Sequence, residues 1–367
     1  MGLIVKQSVI NTIYSYVGVA LGAILTLWLY VTILEPAEYG LTRVLISVAF
    51  IGAQFSDFGL KNLTIRYFPY YRDKSKGHNG FLFWMLIIPA FGFLILSGLL
   101  FLLKDFILQY YSDNSQLFAE YYDLLIILTF FTLYFSLLSS YSRALFSTNL
   151  ISFLQEILLR LIIIIVLFCY WMAWIDQAGF IRLFVLAYGI LPTILFFYLM
   201  LQKKLYLKPD FQFFLIKPIK ELASYGFFAL MGGVATMLVG KIDILMLSAM
   251  AGLADTGVYA IAFYIGSVIT IPQRSVLKIA NPVVADAFKD NDLETVSDVY
   301  QKSSLNQLLA GSLLLIGIWA NLDNLNHIIT SEYLQKPAVI IVIGLAKLFD
   351  MATGINGGII LNSKYYR

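Results

Sequence analysis

The stretch LASYGFFALMGGVATMLVGKIDILMLSAMAGLA, from Leu222 to Ala254, decides the class of this chain. About 20 apolar residues suffice for a helix to cross a bilayer, and this run exceeds that length. It nevertheless carries Lys241 and Asp243 inside its apolar sequence. A charge at that depth costs roughly 2.5–3.5 kcal/mol on insertion scales, so it should face protein or a water-filled cavity rather than lipid. Residues two apart point to different sides of a helix, so these two cannot simply neutralise each other. At least one needs a partner from another helix or a charged ligand. A structural ion pair and a ligand- or ion-facing role are both open.

Composition agrees. The chain is 60% hydrophobic and 13% charged, with a mean hydropathy of +0.82. Soluble domains carry about 25% charged residues, so this is expected to be an all-α, polytopic helical membrane protein. The net charge of +3 does not point to nucleic acid, because the basic residues lie between apolar runs. Cys169 is the sole cysteine and His78 and His327 are far apart, so neither a disulfide, a metal site nor a cofactor is expected. The first apolar run, Val9 to Leu34, is too long for a signal peptide and lacks a small-residue cleavage site.

About ten spans follow from hydropathy, near 8–33, 40–60, 81–103, 119–142, 150–174, 179–201, 222–250, 256–279, 303–329 and 338–361. Charge alternates across their connections. Eighteen basic residues lie on one side, among them Lys61, Arg66, Arg143, Lys217, Lys289 and Arg367, against Lys104, Arg182 and Lys336 on the other. Basic loops stay cytoplasmic, which places the N-terminus and the end of this chain inside. The segment 281–302 puts Val283, Val284, Ala287 and Phe288 on one face, the pattern of an amphipathic helix at the inner surface.

The junction Leu34-Glu-Pro-Ala-Glu-Tyr-Gly40 has an echo in Ala251-Gly-Leu-Ala-Asp-Thr-Gly257 at an offset of 217 residues. A second echo pairs Phe118-Ala-Glu-Tyr-Tyr122 with Thr330-Ser-Glu-Tyr-Leu334. Helix starts often combine an acidic residue with an interfacial aromatic, so each echo alone is weak. Together, in order, they favour two bundles of like orientation with a transport site between them.

These residues resemble the oligosaccharide and polysaccharide flippases of the Wzx type, members of the MOP superfamily that also holds the MATE exporters and the lipid II flippase. The resemblance rests on EPAEYG (35–40) leading to Asp57-Phe-Gly-Leu60, on GKIDILMLSAMAGLADTGVYAIAFYIGSV (240–268), on Ile271-Pro-Gln-Arg274 with Asn281-Pro282, and on Gly357-Gly-Ile-Ile-Leu-Asn-Ser-Lys364. It spans essentially the whole chain. It implies a MATE-like two-bundle architecture: a six-helix bundle over 1–203, a linker over 204–221, and an incomplete four-span bundle over 222–367, as if truncated at the C-terminus. It also implies translocation of an undecaprenyl-diphosphate-linked oligosaccharide across the bacterial inner membrane by alternating access, for O-antigen, capsule or exopolysaccharide synthesis. Membrane lipids, a polysaccharide polymerase and glycosyltransferases are the partners it implies.

A lipid diphosphate in a low-dielectric cavity needs cations. Lys241, Arg160 and Lys347 are the candidates, with Asn11, Gln54 and Asn306 as polar lining and Asp243, Glu156 and Asp350 as carriers of a coupling ion. Each has a plainer reading. Glu156 stands four residues before Arg160, the favourable spacing for an intrahelical pair, and Lys347 and Asp350 invite the same reading. Asn11, Gln54, Asn306, Gln307 and Asn356 serve equally as interhelical hydrogen-bonding residues. Arg43 can snorkel to the outer interface, Asp57 reads as an interfacial charge beside Lys61, and Gly18 and Gly22 as a close-packing pair. Tyr70, Tyr71, Trp171 and Trp174 fall near span ends, as interfacial anchors do.

Two other functions compete. A MATE-like exporter of small molecules would want a more acidic cavity. A membrane glycan polymerase or glycosyltransferase would want carboxylates or arginines in a sizeable outer loop. The first outer loop offers only Glu35 and Glu38 in a tight turn, and Lys104–Phe118 holds no arginine. A transporter rather than an enzyme is therefore expected.

Overall fold

The computed structural model describes residues 2–111, 116–325, 327 and 329–363, so the terminal Lys364-Tyr-Tyr-Arg367 lies outside the described residues. It is helical, with no strand among the described residues. Among these residues, nine helices are long and apolar enough to span a membrane. Their outward faces carry side chains that only lipid would tolerate: Phe91, Leu94 and Ile95 are each more than 60% exposed.

The chain packs as two compact units, Met1–Gly257 and Val258–Arg367. In the first, α1 (Gly2–Ile24) passes through a π-turn at Leu25–Leu29 and continues to Ile33. Then come α2 (Pro36–Ser56), α3 (Leu60–Tyr71), α4 (Phe81–Leu102), α5 (Lys104–Tyr111) and α6 (Leu124–Ala144). The unit continues with α7 (Asn149–Trp171, with a π-turn at Leu154–Leu158) and α8 (Gln177–Leu201). After these follow α9 (Ile219–Val239) and α10 (Ile242–Met250). Helix α11 (Leu253–Ser267) leads into the second unit, which holds α12 (Ile271–Lys289), α13 (Leu293–Ala320), α14 (Pro337–Ala352) and α15 (Asn356–Asn362).

Three expectations change. The seventh span is not one helix, because it breaks at Gly240-Lys241 between α9 and α10. The break puts Asp243 in the first turn of α10, where the positive end of the helix dipole favours a carboxylate. The tenth span is split between α14 and α15 at Thr353-Gly354-Ile355, with Gly354 at φ +59°. The amphipathic segment is the second half of α12, followed after Asp290-Asn291 by α13, rather than a separate surface helix.

The segment 61–80 is also more than a loop. Leu60, Leu63, Tyr67, Phe68 and Tyr71 recur at helical spacing and are buried, which makes α3 a packed helix. Tyr71 is therefore not an interfacial anchor. Its ring stacks on Phe213 and its hydroxyl donates to the Phe213 carbonyl at 3.1 Å. Tyr70, Trp171 and Trp174 are at least 60% exposed, as anchors are.

The start of α2 is fastened by the EPAEYG motif. Glu35 and Glu38 form a reciprocal capping box. Buried Glu38 also accepts from the Tyr170 hydroxyl and from Gln177 Nε2, each at 2.8 Å. The motif's echo packs directly on it: a Cβ on Gly40 would collide with the Leu253 carbonyl, and one on Gly257 with the Pro36 carbonyl. Pro36 and Leu253, like Gly40 and Gly257, are 217 residues apart in the chain. The approach is thus reciprocal, and only glycine permits it. In the second echo Tyr121 and Tyr333 are both buried.

Replacing Gly40 or Gly257 with Ala should therefore lower the apparent Tm in detergent and the yield of folded protein, by an overpacking penalty of about 1–3 kcal/mol or more. Gly98→Ala and Gly317→Ala, where nothing lies within 4 Å, are the controls and should be neutral. Equal stability of Gly40→Ala and Gly98→Ala would contradict this packing.

Candidate functional site: a polar cavity within the first unit

Helical spacing builds the site. On α2, Phe50, Gln54 and Asp57 fall on one face, and Lys61 extends that face across the turn into α3. On α6, Thr132, Ser136, Ser139, Ser140 and Arg143 recur every three or four residues. Gln155, Glu156 and Arg160 of α7, Tyr188 of α8 and Met237 of α9 complete the wall. Together they enclose a cavity of about 510 Å³. Such a polar enclosure among apolar spans is where charged side chains are tolerable.

Glu156 and Arg160 form the expected intrahelical pair: Arg160 Nη1 donates at 2.7 Å to Glu156 Oε2. Gly18 and Gly22 of α1 are what make room for it, since a Cβ on Gly18 would meet Arg160 Nη1 at 2.5 Å and Glu156 Oε2 at 2.6 Å. The close-packing pair thus packs α1 against an ion pair.

Asp57 is not an interfacial charge. It is buried and its Oδ1 accepts the Gly59 N–H at 2.6 Å, fixing the turn between α2 and α3. Lys61 Nζ donates at 2.9 Å to the neutral amide oxygen of Gln54. Neither Lys61 nor Arg143 makes an ion pair among the described residues. Gln54 Nε2 and Ser139 Oγ are buried without a protein hydrogen-bond partner. Buried donors are nearly always satisfied, so these two are exceptions; Gln54 Nε2 lies against α9, where a Cβ on Gly233 would meet it at 2.5 Å. The wall carries three basic side chains (Lys61, Arg143, Arg160) against two acidic ones (Asp57, Glu156), an excess of one positive charge.

Arg43 does not snorkel outward. Its guanidinium lies 4.4 Å from the ring centre of Tyr39 and 5.3 Å from that of Tyr30, with Nε buried and unpartnered. Two tyrosine faces can hold a cation in this way. Lys241, at the N-cap of α10, is partly buried and within electrostatic reach of Arg43. Lys241 and Asp243 are not part of the 510 Å³ wall, although Met237, one turn earlier, is.

The remaining candidates lie elsewhere. Asn11 donates at 2.9 Å to Thr148 Oγ1, tying α1 to the start of α7. In the second unit, Lys347 and Asp350 do not pair. Lys347 Nζ sits 5.0 Å from the ring centre of Phe263, and Asp350 accepts from Gln273 Nε2 at 3.3 Å. Asn306 is exposed, and its neighbour Gln307 is the buried one, with both side-chain polar atoms unpartnered. Sequence reasoning thus brought Gln54, Glu156 and Arg160 to one cavity and missed Lys61, Arg143, Ser139 and Tyr188. The signal for Lys61 was its position seven residues after Gln54; for Arg143, the serine ladder that precedes it.

If Glu156 and Arg160 offset each other, Glu156→Gln alone should destabilise by about 1 kcal/mol, and Glu156→Gln with Arg160→Gln should restore part of that loss. Coupling indistinguishable from zero in detergent melts would show the pair to be energetically idle, as many partly exposed ones are.

The fold has solved counterparts. A multidrug resistance MATE transporter of the MOP superfamily in an inward-facing conformation aligns with a TM-score of 0.69 at 13% identity, over 95% of this chain and 87% of the other. A MOP-superfamily transporter from Pyrococcus furiosus Vc1, for which a binding pocket of reverse polarity suggests a different function, aligns at 0.60 and 15% over 97% and 84%. A MATE structure in the straight conformation aligns at 0.57 and 14% over 98% and 84%. No curated protein matches the sequence. Residues 5–287 match the polysaccharide biosynthesis protein family. With nine candidate spans and the fold of MOP-superfamily transporters, the chain is a multi-pass membrane protein that belongs to the polysaccharide biosynthesis protein family.

Proposed function

We propose that this chain translocates a lipid-linked oligosaccharide, carried on undecaprenyl diphosphate, across the bacterial cytoplasmic membrane. The observation that carries this reading is the pair Lys61 and Arg143: two cations lining a polar cavity whose wall has a basic excess, neither in an ion pair among the described residues, although Asp57 lies within electrostatic reach of Lys61. A diphosphate would supply the missing anions, with charge-assisted hydrogen bonds of about 1.5–3 kcal/mol each. Family membership supports a glycan-synthesis role, and family and fold point to a transporter rather than an enzyme.

In this reading the cavity takes the polar head on the cytoplasmic side, where the basic segments lie, and releases it on the other side by alternating access. Lys241 and Arg43, near the break between α9 and α10, are the next cations along the route, and Asp243 is a candidate for ion coupling. Glu156 is weaker in that role, because Arg160 already holds it. A cation exporter fits less well, since the wall has a basic rather than an acidic excess.

Lys61→Gln and Arg143→Gln should each reduce outer-leaflet glycolipid about tenfold at unchanged protein level, a loss near 1.4 kcal/mol. The double variant should abolish export. Wild-type export in the double variant would remove the cationic cavity from the mechanism.

A further inference from the structure

Between α8 and α9 the chain runs through 202–218, a strap that leaves the end of one span and enters the next, and so lies at the membrane boundary. It is fastened rather than loose. The Tyr141 hydroxyl donates to the Lys204 carbonyl at 3.0 Å, Trp84 Nε1 to the Asp210 carbonyl at 2.8 Å, and the Tyr71 hydroxyl to the Phe213 carbonyl. Phe213 is buried among the rings of Tyr71, Phe81 and Trp84. The strap's other apolar side chains include several that nothing covers: Phe211 is 71% exposed and Leu215 84%, with Leu207 exposed beside them. Cations are interspersed with these side chains. Residues 202–221 hold five lysines, at 203, 204, 208, 217 and 220, against Asp210 and Glu221, an excess of three positive charges. Asp210 Oδ1 accepts the Gln212 N–H at 2.9 Å, and Glu221 accepts from the Tyr67 hydroxyl and faces Lys217 at 3.9 Å. Lys203, Lys208 and Lys220 are exposed and make no ion pair among the described residues. Lys217 Nζ lies 4.3 Å from the ring centre of Tyr70, itself exposed as interfacial anchors are.

We propose that this strap docks on anionic phospholipids of the leaflet on the basic side of the bundle, with Phe211 and Leu215 sunk among acyl chains and Lys208, Lys217 and Lys220 on the phosphates. Large apolar side chains held in water by a fastened backbone cost free energy that the acyl boundary relieves. A zwitterionic surface would take those side chains but leave the three excess charges unanswered, whereas an anionic one answers both. A soluble acidic protein would have to displace the bilayer from side chains that flank the start of a span. Because the strap is already held by three carbonyl contacts, docking has little chain left to order. None of these residues lines the polar cavity, so the site is independent of the proposed substrate class.

The test uses the purified full chain in detergent with equimolar phosphatidylglycerol and phosphatidylcholine, the retained lipids being counted by native mass spectrometry. The wild type should retain phosphatidylglycerol about tenfold over phosphatidylcholine. Lys208→Gln and Lys220→Gln should each lower that preference about fivefold, the ratio that corresponds to ~1 kcal/mol per basic side chain near an anionic surface. Lys208→Arg with Lys220→Arg should keep it, because the charge is kept. A spin label at Leu215→Cys, in a Cys169→Ser background and in vesicles of the same lipids, should collide with oxygen more often than with a water-soluble nickel chelate. Lys208, Lys220 and Leu215 are all exposed, so these variants leave the packing intact. Equal retention of the two lipids by the wild type, or an unchanged preference in the double glutamine variant, would overturn the headgroup site. A label at Leu215 open to the nickel chelate would leave that face to a protein partner and overturn the proposal as well.

Discussion

Charge in an apolar bundle is the constraint on which the rest depends. Roughly half of the residues walling the first unit's cavity are polar, yet the helices that build it are apolar enough to span a membrane. An unpaired ion in hydrocarbon is costly enough that such side chains must share a polar enclosure or pair with one another. Both solutions coexist here. Glu156 and Arg160 pair on one turn of helix. Lys61 and Arg143 make no ion pair among the described residues, although Asp57 acts on Lys61 from nearby, and the wall keeps an excess of one positive charge.

The backbone makes this possible at a few positions. Glycines 18 and 22 admit the ion pair beside α1, and Gly40 and Gly257 let each of two helix starts press a carbonyl against the other's backbone. Gly59, at φ +75°, lets α3 leave α2 while Asp57 and Lys61, on either side of the turn, both line the cavity. Interruptions of the helices have the same logic. The break at Gly240-Lys241 lies within electrostatic reach of Arg43. Backbone irregularity at membrane depth is tolerated only where protein or water satisfies the freed groups.

Much of this was legible in the sequence, for physical reasons that differ by residue. Span positions followed from hydropathy because lipid allows little else; α4 and α8 begin and end within about two residues of expectation. The register of Gly40 on Gly257 was legible because a carbonyl pressed that close to the neighbouring backbone demands glycine on both sides. The break in the seventh span was not, since Gly240 lies in the αR region and one glycine amid apolar residues does not announce a helix end. Lys61 and Arg143 were counted with the connections because charge counting assigns every basic residue near a span end to a loop; Lys61 stands in the first turn of α3 and Arg143 in the last turn of α6. The Lys61 side chain reaches back to Gln54, and both residues line the cavity. Arg43 was read as snorkelling because the two tyrosine rings that hold it are distant from it in kind, not in sequence: Tyr30 and Tyr39 show no charge for a pairing rule to find.

The central claim is that a wet, cationic enclosure exists within the first bundle. Cys169 is the sole native thiol, so Ser136→Cys, at a partly buried position on the cavity wall, reports on the cavity in a Cys169→Ser background. The account predicts that this thiol reacts with an anionic, water-soluble thiosulfonate faster than with a cationic one of equal size, while a thiol at the outward-facing Leu94 reacts with neither. If Ser136→Cys is as inert as Leu94→Cys the enclosure is not wet, if it prefers the cationic reagent the enclosure is not cationic, and either result contradicts the account.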